Sequence, residues 1–384
     1  MFKFLTIVCL VCFATLQAEL LERFGKGYLE KEQGQLVLHL EGTAFERGEQ
    51  HGHLLQALVR QNIAIFLEGK RPEKQKERAA EFKPYISQLL KHTPKHLIEE
   101  MRGVAAGAEV PFEKIVALNL FPEMFHCSAI TARGGASKDG ALYHVRALDY
   151  AIGKGIQDSA LLMVVTPDEG YSFLNVTYAG FVGSVTGMNS EKIAIGEIGG
   201  KGYGSWNGIP MAFLIRMLLE NSSSLDDARA MLTNSPRTCE YFYILSDGKT
   251  DTSCGVYATA DEIAFIEPGA SYGDLPAFQK AGIADLITEQ PEECLLLTGL
   301  TWPERYPVLK TRLEENFGKI DEKILQEIIQ GAGGKESNLH NAIFLPSQLK
   351  IWISHAGPND EPAYTQPYAE FSLLELLPQT TVPK

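Results

Sequence analysis

"HCSAITARGGASKDGALYHVRALDY", residues 126–150, divides the chain. Two strand-like runs, "SAITARG" and "ALYHVRALDY", flank a turn rich in Gly, Ser, Lys and Asp. That pattern predicts a hairpin. Cys127 stands at the head of its first strand, and the return strand brings Arg146 back beside it. A guanidinium near a thiol favours the thiolate, the nucleophilic form. Asp149, three positions further on, can hold the arginine or accept a hydrogen bond from an amine. The same residues also fit a core cysteine beside a surface Arg–Asp pair.

Upstream of this stretch the pattern is mostly helical. "QLVLHL" (35–40) alternates as a strand, and Thr43 with Glu46 has the spacing of a capping box at a helix start. Helical patterns continue to residue 120, broken at Pro84, Pro94 and Pro111. Downstream the character changes. "ALLMVVTP", "YSFLNVTYAG" and "KIAIGEIGG" read as strands, then "PMAFLIRMLLEN" and "SLDDARAMLTN" as helices, and "YFYILSDGKTDTS" as a hairpin turning near Asp247-Gly248. Helical patterns return at 279–288 and 303–330, and "NAIFLPS" and "LKIWISHAG" are the last strands before "YAEFSLLELL". Antiparallel clusters with helices collected between them predict an α+β fold with helical layers over sheets.

The 384 residues are 45% hydrophobic and 22% charged, enough for one large domain or two small ones. Net charge is −13 with no run of Lys or Arg, which argues against nucleic acid as a partner. No stretch beyond the N-terminus is apolar enough to span a bilayer. "MFKFLTIVCLVCFATLQA" (1–18) has the charged start, apolar middle and small-residue end of a signal peptide, which predicts a secreted or periplasmic protein beginning near Glu19. Of the cysteines that remain, Cys127, Cys239, Cys254 and Cys294, the pair Cys239 and Cys254 flanks the hairpin and is a candidate disulfide. His51 and His53 lie two apart on a helix and so face different directions, which disfavours a metal pair. His144 reads as a packed strand residue near the site. "GGKGYGSWNG" (199–208) lacks the Lys-Ser/Thr of a phosphate loop and reads as a rim loop or a connector.

Four stretches together resemble the penicillin acyltransferase-like cysteine peptidase family of N-terminal-nucleophile hydrolases. They are "GTAFERGEQHG" (42–52), "CSAI" with "RALDY" (127–130 and 146–150), "GFVGSVTGMNSEKIAIGE" (180–197) and "NLHNAIFLPSQLKIWISHAG" (338–357). The resemblance implies a four-layer αββα sandwich; no cofactor or metal is expected. It also implies a precursor cut between His126 and Cys127, leaving 19–126 and 127–384 as two associated chains. By that resemblance Cys127 is the nucleophile, Arg146 and Asp149 orient it and its amine, and Asn189 matches the asparagine of "G-M-N". A freed α-amino group has a reference pKa of about 7.7–8.0, close to where a general base works best. The implied partner is a small acylated substrate.

Two positions depart from the family pattern. Glu197 stands where relatives often carry an oxyanion-hole asparagine, and a carboxylate donates only when protonated. Backbone N–H groups then form the hole, or Glu197 binds a cationic substrate group. Phe242 stands where relatives have another asparagine, and Glu240 just before it is read as a substrate or amine ligand. His126 stands where several relatives have a smaller residue. The alternatives are the same fold working uncut, or an exported ligand-binding protein without turnover.

Overall fold

The computed structural model describes residues 18–68, 83–120, 126–200, 205–300, 302–330 and 333–378. Residues 1–17 of the stretch read as a signal peptide and the centre of the 199–208 loop lie outside them.

Two sheets form the centre. The larger carries ten strands, in the order β1 (Glu19–Phe24), β2 (Gly27–Glu32), β3 (Gln35–Gly42), β6 (Ala160–Pro167), β7 (Phe173–Tyr178), β8 (Thr186–Asn189), β9 (Ile193–Gly199), β10 (Glu240–Asp247), β11 (Thr252–Thr259) and β12 (Ile263–Ile266). The smaller runs β13 (Cys294–Thr298), β4 (His126–Ala132), β5 (Tyr143–Asp149), β14 (Asn338–Leu345), β15 (Lys350–His355) and β16 (Ala369–Ser372). The sheets pack face to face, with β4 and β5 against β9. Apolar side chains from alternate positions fill the interval: Val37, Leu162, Val164 and Val176 from one sheet, Ala342, Phe344, Ile351 and Ile353 from the other.

Helices cover both outer faces. On the large sheet lie α1 (Ala44–Leu54), α2 (Gln56–Ile63), α3 (Ile86–His92), α4 (Lys95–Ala108), α5 (Phe112–Asn119), α6 (Met211–Asn221) and α7 (Leu225–Asn234). α8 (Pro276–Ala281) follows β12, α9 (Arg305–Glu315) and α10 (Glu322–Ile329) cover β13 and β5, and α11 (Leu373–Leu376) ends the described chain. This is the four-layer αββα sandwich.

Segment 19–126 is less purely helical than its sequence suggests. It supplies β1, β2 and β3 to the large sheet, and β3 pairs in parallel with β6 from beyond Cys127. β1 escapes a sequence reading because it is almost wholly exposed and has no alternating pattern. Thr43 caps α1 in the expected box, its backbone N–H donating to Glu46 Oε2 at 2.8 Å. α1 and α4 cross with backbones in contact: a Cβ on Gly48 would lie 1.9 Å from Glu100 O, and one on Gly103 would lie 2.2 Å from Phe45 O. Beside this contact Glu100 is fully buried between two guanidiniums, Arg47 Nη2 at 2.9 Å and Arg216 Nη2 at 3.0 Å. Arg216, on α6, also binds Glu220 at 2.9 Å.

The cysteine pairing suggested by the sequence is corrected. Cys127, Cys239, Cys254 and Cys294 are all free and buried. The hairpin exists, but Cys254 is opposite Leu245 near its turn, whereas Cys239 precedes the open end. Six strand positions, about 20 Å, separate Cys239 from Leu245.

Candidate active site

Cys127 opens β4 between β5 and β13, paired with Leu148. Its side chain points into the interval between the sheets and is 2% exposed. Arg146, also on β5, points into the same interval and is fully buried. Each guanidinium nitrogen is engaged: Nη2 donates to Cys127 Sγ at 2.9 Å and to Glu197 Oε2 at 3.2 Å, Nε donates to Glu197 O at 3.0 Å, and Nη1 donates to His340 Nε2 at 3.0 Å. Gly196 leaves the room for this arginine, since a Cβ there would lie 2.8 Å from Arg146 Cγ.

The structure therefore brings Cys127, Arg146 and Glu197 together. Glu197 Oε2 lies 4.0 Å from the sulfur. The cation that Glu197 meets is internal, Arg146, which corrects the reading of Glu197 as a ligand for a cationic substrate group. Burial pushes the Glu197 carboxyl up to about 7, and Arg146 opposes this. Near neutrality a fraction of Glu197 is thus a carboxylic acid, able to donate a hydrogen bond towards the sulfur or an oxygen beside it. Burial likewise pushes the Cys127 thiol up to about 12 despite Arg146, so the uncut chain holds it as a thiol.

Asp149 does not hold Arg146. Residues three apart on a strand point to opposite faces, so Asp149 faces α9. There Arg305 Nη1 binds one carboxylate oxygen, while Gly334 N–H at 3.2 Å and Ser337 Oγ at 3.3 Å donate to the other. Burial raises this carboxyl, and Arg305 opposes the rise. Asp149 still borders the candidate cut, because its backbone pairs with His126.

Asn189 is placed apart from the cysteine. Asn189 is buried and fully used: its amide donates to Leu219 O and Ser222 O and its oxygen accepts from Ile193 N–H. It stands beside Ile193, four strand positions or about 13 Å from Glu197. Those bonds leave it nothing for a substrate, so it anchors the end of α6 instead. Glu240 begins β10 and accepts from Tyr257 Oη at 2.9 Å. His144 is buried on Ser246 at 2.7 Å. His51 accepts from Gly180 N–H, and His53 stacks on Phe24. Among the described residues no group of three or more His, Cys, Asp or Glu is placed to hold a metal ion.

Sequence reasoning missed four neighbours: Tyr178, Thr186, Arg305 and His340. Arg146 can only donate, so His340 Nε2 accepts and the ring is neutral with its proton on Nδ1. Burial holds its pKa well below the usual histidine value. Nδ1–H then donates to Tyr178 Oη at 2.9 Å, while Thr186 Oγ1 lies 3.1 Å from Nε2. Strand parity offered one signal for His340, since His340, Ala342 and Phe344 share a face of β14.

Residues 136–264 match the family model described as acyl-coenzyme A:6-aminopenicillanic acid acyl-transferase. The match takes in Arg146, Asp149 and Glu197 and begins after Cys127. Protein dcd1A of Dictyostelium discoideum is 26% identical over 85% of this chain and 80% of its own length. Human acid ceramidase is 29% identical over 43% of this chain and 48% of its own. Among solved structures, the conjugated bile acid hydrolase of Clostridium perfringens aligns with a TM-score of 0.44 at 14% identity, covering 67% of this chain and all of that one. The N-acylethanolamine-hydrolyzing acid amidase ortholog of Caenorhabditis elegans aligns at 0.43 and 16%, over 64% of this chain and all of that one. In sequence the chain is thus similar to an acyl-transferase family model and to acid ceramidase.

Proposed function

We propose that this chain is an exported, self-processing amidohydrolase or acyltransferase that carries its acyl group as a thioester on Cys127. The observation that supports this most is the sulfur held at 2.9 Å by Arg146, with Glu197 against both. A cut between His126 and Cys127 makes Cys127 an N-terminal residue with its own amine as base. That amine takes the thiol proton, and the sulfur attacks the acyl carbonyl carbon. The C–N bond of the substrate breaks, the ammonium proton passes to the leaving amine, and a thioester remains. Water, or an acceptor amine, then gives its proton to the α-amine and adds to the thioester carbon, and the thiol departs. The charge that develops on the carbonyl oxygen meets Arg146 and protonated Glu197.

The test is a denaturing gel of the secreted protein with N-terminal sequencing of the larger band. A band beginning Cys-Ser-Ala-Ile, absent from Cys127→Ala, is the expected result. Cleavage of Cys127→Ala at the same bond would end the self-processing reading. An uncut wild type with thiol-dependent hydrolysis would leave an enzyme acting as a single chain, and one without it a binding protein.

A further inference from the structure

Arg146 reaches the sulfur through Nη2, and its other two nitrogens decide where Nη2 points. Nε is fixed by the backbone carbonyl of Glu197, and Nη1 by His340 Nε2. The second anchor is a side chain, and sheet geometry explains its place. Arg146 on β5 is opposite Ala342 on β14, and His340 lies two positions along β14 from that alanine. Both side chains therefore project from the same face of the small sheet, on a diagonal that a long side chain spans.

The ring of His340 is held on every side. Its Nδ1–H donates to Tyr178 Oη, and Thr186 Oγ1 stands 3.1 Å from the Nε2 that accepts from Arg146. Tyr178 stacks on the ring with planes 23° apart, and His355 meets it edge-on. His340 and Thr186 are fully buried, and Tyr178 is nearly so. Strands of both sheets thus immobilise the acceptor that orients the guanidinium.

The acceptor is also neutral. A carboxylate in its place would draw the guanidinium charge to itself, as Glu100 does with Arg47 and Arg216. An imidazole satisfies the buried N–H and leaves the charge of Arg146 to the sulfur and to Glu197.

We infer that His340 is a positioning residue for Cys127, acting through Arg146: it aims Nη2 at the sulfur and adds no counter-charge of its own. The inference rests on the reading of Cys127 as the nucleophile, and it adds a residue to the support of that group.

Substitution separates the two ring nitrogens. His340→Gln places an amide oxygen near Nε2, which keeps the bond from Arg146 and loses the one to Tyr178. His340→Asn does the reverse, since its shorter amide reaches only as far as Nδ1. The probe is iodoacetamide at neutral pH on the full secreted protein, with alkylation of each cysteine followed by peptide mass spectrometry. Cys239, Cys254 and Cys294, all free and buried, are internal references. Loss of one buried charge-assisted hydrogen bond should slow alkylation of Cys127 about tenfold to 100-fold in His340→Asn and leave the reference cysteines within about twofold. His340→Gln should stay within about threefold of the wild type. In an Arg146→Met background the two variants should be alike, because the route through Arg146 is gone. Hydrolysis of a panel of N-acyl aminocoumarins should follow the same order, in kcat rather than KM. Equal effects of Asn and Gln on Cys127, or faster reaction of all four cysteines in His340→Asn, would make His340 a packing residue and overturn the inference. A wild-type Cys127 no more reactive than the references would overturn it too, since no thiolate is then favoured. The alkylation order without turnover by the wild type would remove the hydrolase reading and leave His340 in its role. Equal turnover in every His340 variant would leave the hydrolase reading and overturn the role.

Discussion

Replacing Glu197 with Gln should flatten the pH dependence of stability in a direction opposite to that of ordinary ion-paired carboxylates. Burial raises the folded-state value of Glu197 from 4.5 to about 7. A group with a raised folded pKa binds its proton more tightly in the native state. Its contribution is fully present below the unfolded value near 4.5 and is lost as pH rises through about 7. Integrating between pH 5 and pH 8 gives a loss of about 2–3 kcal/mol for the wild-type glutamate that the glutamine cannot show. His51, His144, His340 and His355 have folded values below the usual 6.5, so their contribution is present above that value and lost as pH falls. They act against Glu197 in the same window, so the quantity to measure is the difference between the two proteins. Both should carry Cys127→Ala, which keeps each as one chain if cleavage depends on that cysteine. Urea unfolding at pH 5, 6, 7 and 8 would report a gap in midpoints that changes by about 0.8 M at a slope of about 3 kcal/mol/M. Parallel curves would show that burial does not hold the proton on Glu197. A gap of opposite sign would show that the ion pair with Arg146 outweighs burial.

Arg146→Lys keeps the charge but loses the fork that reaches Cys127, Glu197 and His340 through separate nitrogens, and should lower kcat/KM by about 100-fold or more in steady-state assays. Glu100→Gln leaves Arg47 and Arg216 buried without their shared counter-charge. A loss of about 3–5 kcal/mol follows, or roughly 4–6 °C in Tm for a chain of this size by calorimetry. Gly48→Val forces a side chain into the Glu100 carbonyl and should destabilise by upwards of about 2 kcal/mol in urea, whereas valine at Gly140, where a Cβ meets nothing, bears only the strain of its left-handed φ.

The sequence by itself determined the layered α+β class, the hairpin that sets Arg146 beside Cys127, the capping box at Thr43, and the helices that follow Pro94, Pro111 and Pro210. These are local: periodicity, turn residues and caps act within a few positions along the chain. It also exposed the departure at Glu197, because a carboxylate where an amide is expected changes the chemistry whatever the surroundings. Tertiary structure decided the rest. Whether Glu197 met a substrate cation or Arg146 depended on which sheet face packs on β4, and its raised pKa depends on the burial that this packing creates. Asp149 went to Arg305 rather than Arg146 because strand parity sends it to the other face, where α9 arrives from 156 residues away. Tyr178, Thr186 and His340 come from three strands in two sheets, and only their packing fixes the histidine tautomer. Long-range contacts of this kind leave little trace in one sequence, because each residue alone reads as an ordinary buried strand position.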